Sequence, residues 1–466
     1  MKTIVLSLLI TSFSLATISA QILTTLVKFN GTNGDGACTI IQGQNGNFYG
    51  TTLDTIFEMT PKGSLTVLTN NFFLLSFNGF SGAGNLILGS DGNFYGVSDY
   101  EGTNQPDMIF KMSTEGVFTV LTNLIVTNGF ASTTGNPVGL TEGMDGNFYV
   151  TMRYGFNPDS AWPFGALFKM TPEGVLTTLV NLETTNNDGT TNIGIFPNAA
   201  LVQANDGNFY GTTIYGGDGS LASGAGVGTI FKMTPNGTLT TLVILDETNG
   251  AVPYGSLVQA NDGNLYGTCG EGGLYNKGTV FRMTTNGVLA TLDNFDGTNG
   301  AYPACTLIQA SDGDLYGTTT EGGDPGDGTV FKMTPDGALT TLVNFKATNG
   351  ADSYGSLVQA SDGDIYGTAS EGGDLSLNGG YGYGTIFKIT GLNLLPRFQS
   401  ITMSNGTVRL AWNSVSNWTY RVQYKTNLAD ANWTDLPGDI LATNAISSKA
   451  DAAVPAQRFY RLVLLR

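Results

Sequence analysis

The chain has 466 residues, of which 12% are charged and 11% aromatic, and 65 are glycine, a mixture typical of many turns and well-filled β-strands. Its formal net charge of −17 argues against nucleic-acid and anionic-membrane partners, because phosphate binding relies on clustered Lys and Arg. The sequence contains no His, which excludes Ser-His-Asp and Cys-His catalysis, His-ligated zinc and imidazole acid-base chemistry.

Residues 1–20 are predicted to be a signal peptide. Lys2 precedes an apolar run that ends at Ile18 and is followed by the small residues Ser19 and Ala20. The run is shorter than the roughly 20 apolar residues of a membrane-spanning helix, although an N-terminal anchor is the alternative. We therefore expect an exported protein, whether periplasmic, at the cell surface or extracellular, with no membrane-spanning segment after signal removal.

Seven copies of one repeat occupy residues 21–391. Each copy contains a motif such as SDGDLYG, from Ser311, and the first six continue into one such as VFKMTPDG, from Val330, which is shortened to IFKIT in the seventh. A copy is predicted to form four short strands, which in the sixth are 306–309, 315–318, 329–333 and 339–343. Asp-Gly and Pro-Asp-Gly turns favour tight hairpins between them. Four antiparallel strands with a period near 50 residues are typical of β-propeller blades.

The outer-strand pattern of the repeat, LTTL in several copies, is displaced at the chain ends. It occurs at Leu23, before the first copy, and is missing after Ile389, at the end of the seventh. Residues 23–29 are therefore predicted to complete the seventh sheet, which would close the ring and leave no unpaired edge. An open β-solenoid is the competing interpretation.

The motif aromatics are predicted to be core residues. The Phe or Leu and the Tyr of each motif point to opposite faces of the sheet, and both faces of a blade pack against neighbours. A buried Tyr hydroxyl needs a hydrogen-bond partner. The motif tyrosines are Tyr49, Tyr95, Tyr149, Tyr210, Tyr266, Tyr316 and Tyr366.

A short linker at 392–396 precedes a different segment, residues 397–466. Its strand patterns at 407–412 and 419–424, with Trp412 in the core, predict a small β-sandwich-like domain of roughly fibronectin type III character. At about 70 residues such a domain is marginal but viable alone. It could serve as a spacer or as a sorting or binding module.

The repeat resembles a known family. The stretches GTVFKMTPDGALTTLVNF and LIQASDGDLYGTTTEGG are similar to the GloVer tandem repeat of exported bacterial proteins, and the resemblance covers about residues 23–390. It implies export and a repeat fold, but no established activity. Members typically end in surface-anchoring segments, whereas this chain has no apolar helix and basic tail there, which argues against covalent or membrane anchoring. The hairpin motif is also similar to streptogramin-lyase-type propellers, whose chemistry relies on the His that is absent here.

One end of the sheets is predicted to carry the functional loops. Because antiparallel strands alternate in direction, the Asp-Gly hairpins fall at one end and the TNG and EGG loops at the other, and variable loops on a rigid scaffold are where binding is usually built. Trp162 lies in the longest aromatic insertion, where it could instead pack the loop onto its own blade. The ligand-binding candidates are Tyr154, Trp162, Tyr215, Glu271, Glu321 and Glu371.

Two functions from different classes follow. The first is a non-catalytic binding module for a glycan or protein at the cell surface or in the periplasm, with no catalytic residue assigned. The alternative is a glycan-active enzyme using Glu271, Glu321 and Glu371, which requires carboxyl groups about 5 to 10 Å apart. The same carboxylates could hold Ca²⁺, but no Ca²⁺ loop of known spacing is present, and no cofactor is assigned.

The three cysteines are too few for a disulfide scaffold. Cys269 and Cys305 are predicted to lie near the loops on either side of one blade boundary, where an oxidising compartment would permit a disulfide. Cys38 would then be free, at the position equivalent to Cys305.

Overall fold

The computed structural model describes residues 22–70, 86–98, 107–124, 136–154, 164–182, 194–217, 226–390, 392, 398–404, 407–414, 419–427, 430, 432–443, 446–452 and 458–465. Within these ranges the protein is built from β-strands, and its one helical element is a 3-10 turn at Asn378–Gly380. No helix in the described part of the chain is long and apolar enough to cross a membrane. The predicted signal peptide lies outside the described residues.

Seven antiparallel sheets each contain one copy of the repeat, and we call them the first to seventh repeat sheets in chain order. The strands of the first three are Thr39–Gln42, Phe48–Thr51, Thr55–Met59 and Leu65–Asn70; Ile87–Leu88, Phe94–Ser98, Asp107–Met112 and Phe118–Leu124; and Pro137–Glu142, Phe148–Met152, Ala166–Met170 and Leu176–Asn181. The fourth has Val202–Gln203, Phe209–Tyr215, Thr229–Met233 and Leu239–Ile244, with Ile195–Pro197 as an additional strand. The last three have Val258–Gln259, Leu265–Cys269, Thr279–Met283 and Leu289–Asn294; Ile308–Gln309, Leu315–Thr319, Thr329–Met333 and Leu339–Asn344; and Leu357–Gln359, Ile365–Ala369 and Thr385–Thr390.

The seventh repeat sheet takes its outer strand from the other end of the chain. Ile22–Lys28 pairs antiparallel with Thr385–Thr390, with Leu23 opposite Ile389. This confirms the strand pairing predicted from the displaced LTTL pattern. The physical reason is that the spare N-terminal strand satisfies backbone groups that would otherwise form an open edge.

Neighbouring repeat sheets pack through the motif aromatics. The ring centroids are 4.2 Å apart for Tyr49 and Phe94, and 3.9 Å apart for Tyr149 and Phe209. The same contact joins the seventh sheet to the first, because Tyr366 lies 4.1 Å from Phe48 between ring centroids. All of the motif tyrosines are buried, as predicted.

In six of the seven repeat sheets the hairpin end is stabilised by an Asp, a Tyr and a basic residue, which is usually a Lys. In the sixth sheet the Tyr316 hydroxyl donates to Asp312 over 2.8 Å, and Lys332 Nζ donates to the same carboxylate over 2.8 Å. Lys332 Nζ also lies 5.6 Å from the Tyr316 ring centroid, within cation–π range. The Tyr hydroxyl thus has the partner that its burial requires. We call this end of the sheets the hairpin face.

The first repeat sheet uses a different pair of residues at the same positions. Asn45 replaces the Asp and Glu58 replaces the Lys. The Asn45 amide donates to the Tyr49 hydroxyl over 2.9 Å, and this hydroxyl donates to Glu58 over 2.9 Å. In the first sheet the carboxylate comes from the strand Thr55–Met59, whereas in the other sheets it comes from the turn before the tyrosine. In every repeat sheet the tyrosine hydroxyl therefore has a carboxylate nearby.

The C-terminal residues form two further sheets. One contains Phe398–Ser404, Thr407–Asn413 and Ile446–Asp451, and the other Thr419–Lys425, Thr434–Asp435, Ile440–Leu441 and Phe459–Leu465. Trp412 from the first sheet and Tyr420 from the second are both buried in one apolar cluster, with ring centroids 6.0 Å apart. The prediction that Trp412 is a core residue is confirmed.

Candidate functional site

The TNG and EGG loops meet at the end of the sheets opposite the hairpins, and we call this end the loop face. In the last three repeat sheets the second glycine of EGG donates its backbone N–H to the loop after the preceding outer strand. These bonds run from Gly273 to Glu247 (2.6 Å), from Gly323 to Gly297 (2.8 Å) and from Gly373 to Ala347 (2.7 Å). Strand direction therefore brings the two loop families together, as predicted.

Three of the predicted site residues occupy equivalent positions on this face. Each forms an isolated antiparallel bridge with the alanine that follows TNG: Ala251 with Glu271, Ala301 with Glu321 and Ala351 with Glu371. Glu271 and Glu321 are exposed, whereas Glu371 is half-buried. The bridges fix the backbone of each glutamate and leave the side chains of the first two in solvent.

Five residues with left-handed backbone lie next to predicted site residues, three of them beside these glutamates, and we call the five the left-handed positions. They are Asn136 (φ 44°), Phe196 (φ 56°), Val252 (φ 54°), Tyr302 (φ 54°) and Asp352 (φ 48°). Non-glycine residues rarely adopt this conformation, which costs on the order of 1–3 kcal/mol, and such strain is most often found at functional sites. Four of the five precede a proline, which normally favours an extended conformation.

The left-handed positions are linked directly to the predicted site residues. In three sheets their carbonyls accept a hydrogen bond from the N–H just before a predicted glutamate: Val252 from Gly270 (3.0 Å), Tyr302 from Thr320 (3.3 Å) and Asp352 from Ser370 (3.3 Å). In the third sheet Asn136 accepts from Arg153, the residue before Tyr154, over 2.9 Å. Sequence reasoning missed these positions. Their signal is a residue that varies among Asn, Phe, Val, Tyr and Asp within an otherwise regular repeat.

Tyr254 and Tyr354 lie on the loop face, close to charged side chains from several sheets. Burial raises the pKa of Tyr254, and the neighbouring charge of Glu271 raises it further. Smaller effects on this pKa come from Tyr215, Tyr354 and Arg153. These residues belong to the third, fourth, fifth and seventh repeat sheets, so side chains from several sheets lie within electrostatic range of Tyr254.

Several carboxylates lie close to Tyr354. Burial raises the pKa of Asp352 to about 6, and the neighbouring carboxylates of Glu371 and Glu321 contribute to the shift. Burial also raises the pKa of Tyr354, together with the negative charge of Asp352. The pKa of Glu371 is raised by its own burial and then by Asp35. Glu321 of the sixth sheet and Glu371 of the seventh sheet thus both raise the pKa of the same carboxyl group, that of Asp352.

Carboxylates dominate the loop face of the last three repeat sheets. The described acidic residues there are Asp246, Glu247, Glu271, Asp293, Asp296, Glu321, Asp324, Asp327, Asp352, Glu371 and Asp374. The described basic residues at the same end of these sheets are Lys28, Lys277 and Lys346, and the Lys28 Nζ donates to the Gly373 carbonyl over 3.1 Å. Within the part of the chain that the structure describes, no group of three or more Asp, Glu or Cys side chains is arranged to hold a metal ion.

The aromatic candidates form a cluster in the third and fourth repeat sheets. Phe196 lies at its centre, with ring centroids 5.6 Å from Tyr154, 5.8 Å from Phe164 and 6.2 Å from Tyr215. Tyr215 keeps 37% of its surface exposed. The structure therefore brings Tyr154 and Tyr215 together through Phe196, which the sequence did not single out. Trp162 lies outside the described residues.

The disulfide between Cys269 and Cys305 is not formed, and that prediction is corrected: all three cysteines are free thiols. The Cys305 sulfur accepts a hydrogen bond from the N–H of Thr318 in its own sheet over 3.0 Å. Cys269 is buried and packs against Gly250 of its own sheet, where an added Cβ would lie 2.5 Å from the sulfur. Each thiol is thus held within its own sheet.

The strand pattern and the shared geometry of the loop face define an all-β repeat protein, and sequence comparison identifies the family. The profile of the Gloeobacter/Verrucomicrobia repeat matches residues 11–223, 131–310 and 197–430. The chain belongs to this family. No curated protein matches the sequence.

Solved structures resemble the fold at low sequence identity, and they are β-propeller-like. A streptogramin B lyase is 17% identical with a TM-score of 0.50, covering 79% of this chain and 97% of its own. A catalytically inactive virginiamycin B lyase from Staphylococcus aureus, with quinupristin, is 16% identical with a TM-score of 0.51, covering 79% of this chain and 99% of its own. The extracellular domain of a hybrid two-component system of B. thetaiotaomicron is 12% identical with a TM-score of 0.52, covering 92% of this chain and 55% of its own.

Proposed function

We propose that this chain is an exported, non-catalytic recognition module whose loop face binds a glycan or a protein, at the cell surface or in the periplasm. The observation that carries the proposal is the gathering of side chains from several sheets around Tyr254 and Tyr354. The strained left-handed positions beside them support a binding role, because such strain persists where it serves a function. Family membership and the likeness to an extracellular domain are consistent with export.

The proposal includes a finer description of the fold: the seven repeat sheets are the blades of one closed β-propeller over residues 21–391, followed by a β-sandwich-like domain over 397–466. Its support is one strand pairing that joins the two ends of the repeat array within the seventh sheet, and two contacts between the seventh sheet and the first sheet. Ile22–Lys28 pairs with the last strand, Tyr366 packs on Phe48, and the Ser361 N–H donates to Gln42 over 2.7 Å.

Deleting residues 22–28 tests the closure. The seventh sheet would lose its outer strand, and we expect the melting temperature to fall by roughly 10 °C or more. The control replaces the same residues with those of the sixth outer strand, Leu339–Asn344 preceded by one alanine, which should keep most of the stability. An unchanged melting temperature after deletion would contradict the closed ring.

Replacing Tyr215, which is exposed, and Tyr154, which is half-buried, tests the binding function. Tyr215→Ala and Tyr154→Ala should each weaken binding to a ligand found on an array of bacterial glycans and envelope proteins by about tenfold. Glu321→Gln is the control, because an isolated exposed carboxylate contributes little in water. Binding that survives both aromatic changes would contradict recognition through this cluster. Trp162 stays a predicted contributor.

One observation favours the alternative, a carboxylate-dependent glycan-active enzyme. Asp352, with its pKa raised to about 6, has the property of a general acid, and Glu371 and Glu321 lie within its electrostatic range. If Asp352→Asn and Glu371→Gln abolish hydrolysis of a polysaccharide while Tyr215→Ala does not, the enzyme replaces the recognition module. The lyases with a similar fold share only that fold.

A further inference from the structure

An exposed apolar pair stands at the tip of the EGG loop of the fifth repeat sheet. Leu274 is 75% exposed and Tyr275 is 53% exposed. The sixth sheet has Asp324 and Pro325 at the equivalent positions, so the repeat itself does not require apolar side chains here. Adjacent exposed apolar residues with a polar rim are typical of a partner-binding surface.

The loop that presents this pair is held in one shape. The Leu274 N–H donates to the Asn294 side chain over 2.8 Å, and the Gly272 N–H donates to the Asn276 side chain over 3.1 Å. A third bond, from the Gly273 N–H to Glu247, is 2.6 Å long. A preformed loop loses little conformational entropy on binding, which favours its use as an anchor.

We propose that Leu274 and Tyr275 anchor a basic polypeptide segment that crosses the loop face, an inference that rests on the proposed recognition function. Charge complementarity identifies the partner. The exposed Glu271 lies three residues before Leu274 in the same loop, and although Lys277 follows Tyr275 by two residues, carboxylates outnumber basic side chains in the surrounding loops. A cationic segment would gain both attraction and faster association from this field.

A polypeptide fits the anchor better than a cationic polysaccharide. Leu274 offers only an aliphatic surface, which gains free energy by burial against another apolar side chain. A polymer of amino sugars provides positive charge but no aliphatic side chain to cover it. The recognised segment therefore combines Lys or Arg with at least one apolar residue.

The experiment titrates the full-length protein with a fluorescent peptide of alternating Lys and Leu. The Leu274→Ser/Tyr275→Ser variant should bind it about tenfold more weakly. Val288→Ser is the matched control, because Val288 is 64% exposed at the hairpin face of the same sheet and should leave the affinity unchanged. Raising the salt concentration should weaken binding to the unaltered protein.

Further arms separate the possible outcomes. An alternating Glu-Leu peptide and an alternating Lys-Ser peptide should both bind weakly, since each lacks one half of the required chemistry. Equal affinity of the double variant for the Lys-Leu peptide would overturn the proposal, as would Lys-Ser binding as tight as Lys-Leu binding. Oligomers of glucosamine that bind tightly and depend on Leu274 would identify a cationic glycan instead.

These results are distinguishable from a failure of the proposed function itself. If Tyr215→Ala weakens ligand binding and the double variant does not, the basic-segment inference fails and recognition at the loop face stands. If neither change affects the binding of any ligand, both proposals fail.

Discussion

The two ends of the repeat sheets treat charge in opposite ways. At the hairpin face Asp312 is 3% exposed and accepts hydrogen bonds from Tyr316 and Lys332. At the loop face Asp352 is surrounded by Glu371 and Glu321, charges of its own sign. One repeat thus builds an end where opposite charges cancel and an end where like charges accumulate, so the second end has more to gain from a ligand.

The pKa values of aspartates at the two faces are shifted in opposite directions. Burial opposes ionisation of Asp206, but hydrogen bonds from Asn208, Tyr210 and Lys232 outweigh it and lower the pKa to about 2. For Asp352, burial and neighbouring carboxylates act together and raise the pKa to about 6. The comparison predicts that the hairpin face contributes to stability and the loop face reduces it.

The backbone shows the same contrast. At the hairpin face the left-handed turn residues are glycines, such as Gly313 (φ 86°) and Gly337 (φ 97°), which adopt this conformation without a steric penalty. At the loop face Val252 and Tyr302 hold comparable conformations with side chains attached. Among the described residues of the repeat sheets, side-chain-bearing residues with left-handed backbone therefore lie at the end that carries the candidate site.

The largest expected effect is the loss of a hairpin carboxylate. Asp312→Ala should lower the free energy of unfolding by about 2 kcal/mol, because the Tyr316 hydroxyl loses the buried carboxylate to which it donates, while Lys332 keeps its ion pair with Asp314. The matched change at the loop face, Glu321→Ala, should cost less than about 0.5 kcal/mol. Urea denaturation measures both. Equal losses would show that the two faces are energetically alike.

Asn45 and Glu58, which replace the Asp and the basic residue of the other sheets, allow a double-mutant test. Asn45→Asp should lower the free energy of unfolding by about 1–2 kcal/mol, because two carboxylates would then face the Tyr49 hydroxyl. Adding Glu58→Lys recreates the arrangement of the other sheets and should recover most of that loss. A double variant no more stable than Asn45→Asp would mean that the pair is not the cause.

The pH dependence of stability should differ between the faces. Since the folded pKa of Asp352 is about 6 and the unfolded value about 4, this group's contribution to stability is full below pH 4 and is lost as pH rises to about 6. Asp352→Asn should remove the decline and raise stability at pH 7 by about 1 kcal/mol, a value reduced for solvent screening of a half-exposed group. Melting temperatures from pH 4 to 8 provide the check.

Asp206→Asn, at the hairpin face, should change the pH dependence of stability in the opposite direction to Asp352→Asn. The lowered pKa of Asp206 gives stability that is present above pH 4 and lost as pH falls through 2. Its replacement should therefore reduce stability at pH 7 and have little effect near pH 2. The same sign for both substitutions at pH 7 would contradict the contrast between the faces.

The smallest effect compares glycine with alanine at a left-handed position. Tyr302→Gly should be more stable than Tyr302→Ala by roughly 1 kcal/mol, because only the alanine must adopt φ near 54° with a Cβ. At the exposed hairpin residue Ala338, replacement by glycine should instead destabilise by roughly 0.5–1 kcal/mol. Chemical denaturation of the three variants measures the sign, and alanine matching glycine at position 302 would argue against strain there.

The repeat and its strands follow from patterns that can be read in the amino-acid sequence. Its local patterns placed the strands of the sixth copy within two residues of their observed ends, and the missing outer strand after Ile389 predicted the partner of Leu23. These features could be predicted because alternation, tight-turn residues and an unpaired edge are local or countable properties of a chain.

The arrangement of the loop face, in contrast, depends on tertiary contacts that local sequence patterns do not reveal. The left-handed conformation of Val252, the grouping of charges around Tyr354 and the absence of a bond between Cys269 and Cys305 all depend on how neighbouring sheets and loops contact one another. A residue before proline is expected to be extended, so the local rule pointed away from the observed backbone. Non-local hydrogen bonds, such as that from the Val252 N–H to Val227 over 2.9 Å, outweigh that preference once the loops have packed.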